Sequence, residues 1–120
     1  MDRFVQNLLS QPTLSASEER VLACRARGGD PDARSALITS GMRAVAMRAI
    51  LLGLRGEELR DAVQSGAVGL IRAVDRFDPD RGARLATYAW QWIGAEMRRR
   101  DRPDVPLDDV DRSSLVVRSA

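Results

Sequence analysis

Five aromatic residues occur in this chain of 120, and three of them, Tyr88, Trp90 and Trp92, fall within about one and a half helical turns. At ~100° per residue, Tyr88, Gln91, Trp92, Ala95, Arg98 and Arg99 share one face of a helix. Leu85, Ala89 and Ile93 line an adjacent face suited to a core. Aromatic planes stack on unpaired bases and guanidinium groups hold phosphates, so this stripe suits a single strand or a duplex being opened. A plainer explanation stands beside it. In a helical bundle, aromatic residues at helical spacing more often fill a core than hold a ligand, and the Arg98-Arg99-Arg100 run is favoured by the helix dipole alone. Trp90 falls nearly opposite the stripe and is expected to pack.

A second signal lies upstream, in Asp61-Ala62-Val63-Gln64-Ser65-Gly66-Ala67-Val68-Gly69-Leu70. Each glycine inside a helix costs ~1 kcal/mol against alanine, so something must require Gly66 and Gly69. The usual reason is the close approach of another helix, either from this chain or from a partner.

Several kinds of chemistry are excluded. There is no histidine, so the usual zinc sets and histidine-dependent acyl transfer are absent, and the single Cys24 cannot form an intramolecular disulfide. Cys24 is expected to be a small packed residue. No catalytic residue, metal ligand or cofactor is expected. Nineteen arginines and no lysine face seventeen carboxylates, leaving a formal charge of only +2. The placement is uneven: residues 81–100 hold five arginines against Glu96 alone, while residues 101–120 sum to −2. No apolar run approaches the ~20 residues needed to span a bilayer, so a cytoplasmic protein without membrane partners is expected.

The elements that position these residues follow from a 3.6-residue spacing that dominates residues 15 to 100, with no sustained period of two. The fold is expected to be all-α, a compact bundle of about four helices. Ser15 three residues before Glu18 predicts a capping box and a helix over about 16–27, stopped by Gly28-Gly29. Asp30-Pro31 opens a long helix whose apolar residues run from Ala33 to Leu51 and Leu54. A third begins near Glu57 and continues through Phe77; Asp78-Pro79-Asp80-Arg81-Gly82 ends it in a turn. The last spans about Leu85 to Arg100, with Thr87 as its cap. Residues 1–29 are a lead-in with a short helix, 30–100 the main body, and 101–120 an acidic linker or tail.

One stretch is specific in residue order. Asp61-x-x-Gln64-x-Gly66-x-x-Gly69-Leu70-x-Arg72-Ala73-Val74-Asp75-Arg76-Phe77-Asp78, followed by Arg81-Gly82-x-Arg84-Leu85-Ala86-Thr87-Tyr88-Ala89-x-x-Trp92-Ile93, resembles the second conserved domain of the sigma-70 family of bacterial RNA polymerase initiation factors. Leu14 to Gly29 resembles the helix just before that domain, Asp30 to Gly56 its first long helix, and Phe4 to Leu14 the lead-in of primary-type members.

The resemblance implies two surfaces. One docks on the clamp coiled coil of the RNA polymerase core, with Arg43, Asp61, Gln64, Ala67 and Val68 at contact positions and Gly66 and Gly69 as its close-approach sites. The other binds the promoter's minus-ten element, where an adenine of the non-template single strand is flipped out and captured. Tyr88 matches the stacking residue, Phe77 shapes its pocket, and Arg76, Arg84 and Arg99 match basic positions near phosphates. The polymerase would supply catalysis.

Departures from the family pattern are also present. Gln91-Trp92 stands where primary-type members carry two adjacent tryptophans, the wedge that props the duplex open. Ala95 and Arg98 replace polar residues that read the upstream base pair, and Gly94 replaces a basic residue. Gly41 and Ala67 each replace an asparagine. The chain stops at Ala120 without the C-terminal promoter-reading domains; Pro106-Leu107-Asp108-Asp109 resembles the beginning of that continuation. A piece of a longer protein and a single-domain sigma-like protein both remain open, the latter needing a partner subunit for upstream recognition. The resemblance thus implies a transcription initiation factor or its domain 2. A second reading, favoured by Gln91, Gly94 and Ala95, is a regulatory protein that occupies core polymerase or an anti-sigma factor without melting promoters.

Overall fold

In the computed structural model, residues 2–100 are described; the acidic tail expected at 101–120 lies outside them. Helix boundaries follow local chemistry. The Ser15 hydroxyl accepts from the Glu18 N–H at 3.1 Å, and the Glu18 carboxylate accepts from the Ser15 N–H at 2.8 Å. This reciprocal cap opens α2, Ala16–Arg27. Gly29, at φ 100°, turns the chain where a side chain would strain it. The Asp30 carboxylate then accepts from the N–H groups of Asp32 and Ala33, and Pro31 is the first residue of α3, Pro31–Leu51. The next helix, α4, spans Gly56–Arg76 and has no side-chain cap.

Phe77, which the spacing placed inside the third helix, instead stands just beyond it in an extended conformation. Pro79 cannot continue an α-helix, and the preceding Asp78 spends its carboxylate on the Asp80 N–H at 2.9 Å, starting a short 3-10 turn. The last helix, α5, covers Leu85–Arg100. Thr87 is inside it and is not its cap. A further helix at the N-terminus, α1 (Arg3–Leu9), is capped by Asp2 and packs on α3. The described residues thus form five helices and no strand.

The core lies where α4 crosses α3 and α5. Leu37 and Val45 from α3, Val63 and Leu70 from α4, Leu85 and Ile93 from α5, and Val5 from α1 are fully buried. Burying such side chains stabilises by roughly 1.5–3 kcal/mol each. The glycines set the helix separations. A Cβ on Gly69 would stand 2.7 Å from the Trp92 carbonyl carbon, and one on Gly66 would stand 2.6 Å from Met97 Cε and 2.9 Å from Val45 Cγ1. Both glycines are buried within the chain. Their close approach is therefore intramolecular, and the expectation that they open a surface to the clamp is corrected. One smaller expectation also changes: Cys24 is exposed rather than packed. Leu51, part of the apolar spacing of α3, is 71% exposed.

Candidate nucleic-acid interface and docking face

Phe77 sets the floor of the first site. Its backbone leaves the end of α4 extended, which turns the ring inward to 4% exposure. Tyr88, one turn into α5, stands 5.9 Å from the Phe77 ring centroid, tilted 41°. Trp92, one turn further, is 6.2 Å from Tyr88. The Arg76 guanidinium lies over the Trp92 ring at 5.2 Å, a cation–π contact. The Trp92 indole N–H is buried and has no hydrogen-bond partner.

A cleft of ≈ 550 Å³ opens beside Tyr88, lined by Arg27, Arg76, Phe77, Asp78, Arg81 and Ala83. Three arginines against one carboxylate make it cationic. Asp78 is held below the usual carboxylate range, first by the Asp80 N–H and then by the charges of Arg27 and Arg81. Arg27 reaches it at 2.9 Å.

The remaining arginines of the predicted interface divide. Arg84 is turned back into the protein. Its Nε donates to the Glu19 carboxylate at 2.9 Å and its Nη2 to the Leu14 carbonyl at 2.8 Å. Arg98 and Arg99 are half-buried near the C-terminal end of α5, as is Ala95. Glu96 holds Arg72 at 2.5 Å and Arg99 at 3.5 Å, tying α5 to α4. Gln91 is exposed between the two tryptophans.

Trp90 belongs to a different side of α5. It lines a groove of ≈ 290 Å³ with Leu14, Ser40, Gly41, Arg43, Met47 and Arg84. The Arg48 guanidinium lies 5.0 Å from its ring centroid and donates to its carbonyl at 3.0 Å. Arg43, expected among the docking residues, lines this groove.

The other expected docking residues share α4. Asp61, Gln64 and Val68 are exposed along one stripe that continues to Ile71, and Ala67 is half-buried at its border. The apolar members are 43% and 36% exposed at Val68 and Ile71. This stripe lies away from the Gly66–Gly69 side that packs on α5. The structure therefore separates an aromatic, cationic face from a mixed polar and apolar one, and it does not bring Arg43 to the second.

Three residues of these sites were missed from sequence. Arg27 joins Tyr88, Arg48 joins Trp90, and Glu19 caps α5 by accepting from the Leu85 N–H at 3.2 Å. Arg81, one of the five arginines expected beside the aromatic stripe, does line the Tyr88 cleft.

A family model, Sigma-70 region 2, matches residues 37–102, more than half of the chain. The chain belongs to the sigma-70 family. Among its relatives, the RNA polymerase sigma factor RpoH of Rhizobium radiobacter is 44% identical over 101 residues, covering 82% of this chain and 33% of the relative. RpoS of Coxiella burnetii is 40% identical over 96 residues, covering 80% and 27%. RpoH of Caulobacter vibrioides is 40% identical over 101 residues, covering 82% and 34%. The chain spans about a third of the length of these sigma-70 relatives. The matched region begins inside α3 and includes α4 and α5, the two helices that carry both candidate faces.

Proposed function

We propose that this chain is the promoter-opening unit of a bacterial transcription initiation factor. In this reading the outer stripe of α4, with Asp61, Gln64 and Val68, holds the clamp coiled coil of RNA polymerase. The Tyr88 cleft holds a base flipped from the non-template strand of the minus-ten element. The observation that carries the reading is the Phe77–Tyr88–Trp92–Arg76 cluster beside a cationic cleft.

The work is capture rather than catalysis. Taking a base out of the stack costs a few kcal/mol, and stacking on an aromatic side chain returns ~1–3 kcal/mol. The tilted ring pair is already in place, so little ordering cost remains at the moment of capture. Arg27, Arg76 and Arg81 attract the phosphates on either side, which makes affinity fall with added salt. No covalent bond changes, so no catalytic residue or cofactor is needed, and the polymerase in the cytoplasm supplies the chemistry. Arg84, engaged by Glu19, serves by fixing the start of α5 more than by reaching DNA.

The test separates the two faces. Tyr88→Ala should lose at least about tenfold in affinity for a single-stranded minus-ten oligonucleotide in the presence of core polymerase, while clamp binding is unchanged. Asp61→Ala with Gln64→Ala should weaken binding to the isolated clamp coiled coil. Loss of both activities from Tyr88→Ala, or unchanged clamp binding by the Asp61→Ala, Gln64→Ala variant, with the fold intact, defeats the assignment of separate surfaces. The exposed Gln91 favours a second reading, in which the chain occupies polymerase or an anti-sigma factor without opening DNA. Transcription from a premelted template but not from a duplex indicates weak opening, and none from either indicates occupancy alone.

A further inference from the structure

Gly94 is buried, and a Cβ there would stand 2.6 Å from Cζ of Arg48. The place of the side chain that α5 lacks is filled by a guanidinium reaching across from α3. That group acts on Trp90 twice, through a hydrogen bond to its carbonyl at 3.0 Å and a ring contact at 5.0 Å. Backbone and ring are thereby fixed by one planar cation. Arg48 has no carboxylate partner among the described residues, and burial lowers its basicity, so the arrangement carries a desolvation cost. The indole it fixes is only half-buried and faces the groove that Arg43 and Arg84 also line.

We propose that Arg48 is a positioning residue for strand separation and that it acts through Trp90. An aromatic side chain then flanks α5 on each side: Trp92 with Tyr88 towards Arg76, and Trp90 towards Arg43. Gln91, exposed between them, offers no stacking plane. On the opposite side of α5 from the Tyr88 cleft, Trp90 offers a separated strand a second plane, backed by a cation and already oriented. The inference rests on the proposed function and assigns it a residue outside both expected surfaces.

The experiment uses the full chain with core polymerase and a duplex promoter fragment carrying 2-aminopurine in an A/T-rich minus-ten element. The same fragment pre-opened by mismatches serves for comparison. Arg48→Leu should slow opening of the duplex about tenfold, while initiation from the pre-opened template stays within about twofold. Trp90→Ala should do the same, and the double variant should be no slower than either alone, because the arginine acts through the ring. Arg48→Lys, which keeps a cation under the ring, should recover part of the rate.

Opening at the wild-type rate by Arg48→Leu overturns the inference. So does equal loss on both templates, the mark of a merely structural role. If Arg48→Leu does not fold by circular dichroism, Trp90→Ala decides, and normal opening by that variant overturns the inference. A wild-type chain that neither binds polymerase nor opens either template sinks the proposed function and this inference together. Wild-type activity with unaffected variants sinks this inference alone.

Discussion

The length of α5 and its start are held by different forces. Along its length it lies on α4 through glycines and apolar side chains, with the Trp92 backbone against Gly69 and Ile93 and Met97 against Gly66. At its start it is tied to α2 and the preceding turn by charge. Glu19 accepts from Arg84 and Leu85, Arg27 pairs with Asp78, and Arg20 pairs with Asp80. The first seam is buried, and the close backbone approach at Gly69 sets its distance. The second is mostly exposed, so its pairs are screened by water and salt and contribute less than their number suggests. Tyr88 and its cleft sit between these two seams, rigid on one side and adjustable on the other.

Substitutions should separate the seams by size. The largest effect is expected from Gly69→Val, whose added atoms meet backbone that cannot rotate away; about 3 kcal/mol of stability should be lost in urea unfolding. Gly41→Val should cost less, because at Gly41 the added atoms meet the Leu70 side chain and no backbone of another helix. An equal cost at both positions would break the claim that the α4–α5 crossing is the fixed one. Next is Glu19→Gln, which weakens a buried acceptor serving two donors and should cost ~1–2 kcal/mol.

Acid comes third. Asp78 and Asp75 are held below the usual carboxylate range, Asp78 chiefly by the Asp80 N–H and Asp75 chiefly by its hydrogen bond with Arg34. A lowered folded-state value means that their stabilising contribution is complete above the unfolded value and is lost as pH falls through the folded one. Amide exchange in the turn at 78–82 should therefore rise below about pH 4, while that of α4 stays slow. With no histidine, stability should be flat between about pH 5 and 8. The smallest effect is expected from Arg20→Ala, an exposed pair whose removal should leave the unfolding midpoint within error. A large shift there would mean that the charged seam is tighter than its exposure indicates.

The difference between the seams also explains what could be read in advance. Helix periodicity, the Ser15–Glu18 box and Asp30-Pro31 located α2 to α5 closely, because each signal spans only a few residues. Leu85, Ala89 and Ile93 were expected in the core and are there, since a period of 3.6 reports burial directly. The stripe that joins Tyr88 to Trp92 was legible for the same reason. What stayed hidden depends on partners distant in sequence. Glu19 and Leu85 are separated by 66 positions and Arg48 and Trp90 by 42, and no local pattern links them. Phe77 shows the intermediate case: its pocket role came from resemblance, while its position outside the helix came from Asp78 and Pro79, turn formers that its apolar spacing outweighed. The α1 helix lay before the periodic region, and its single deeply buried residue, Val5, is too little to show a period.

The contact between Gly69 and the Trp92 carbonyl has a consequence for alignment. Gly69 follows Val68 directly, so one peptide unit separates a residue of the exposed stripe from the point where α5 rests. A body gripping the outside of α4 thus also sets the height and tilt of the aromatic row on the far side, with no flexible joint between them. The offset between whatever holds this chain and whatever the chain holds is built in at a single residue that has no side chain.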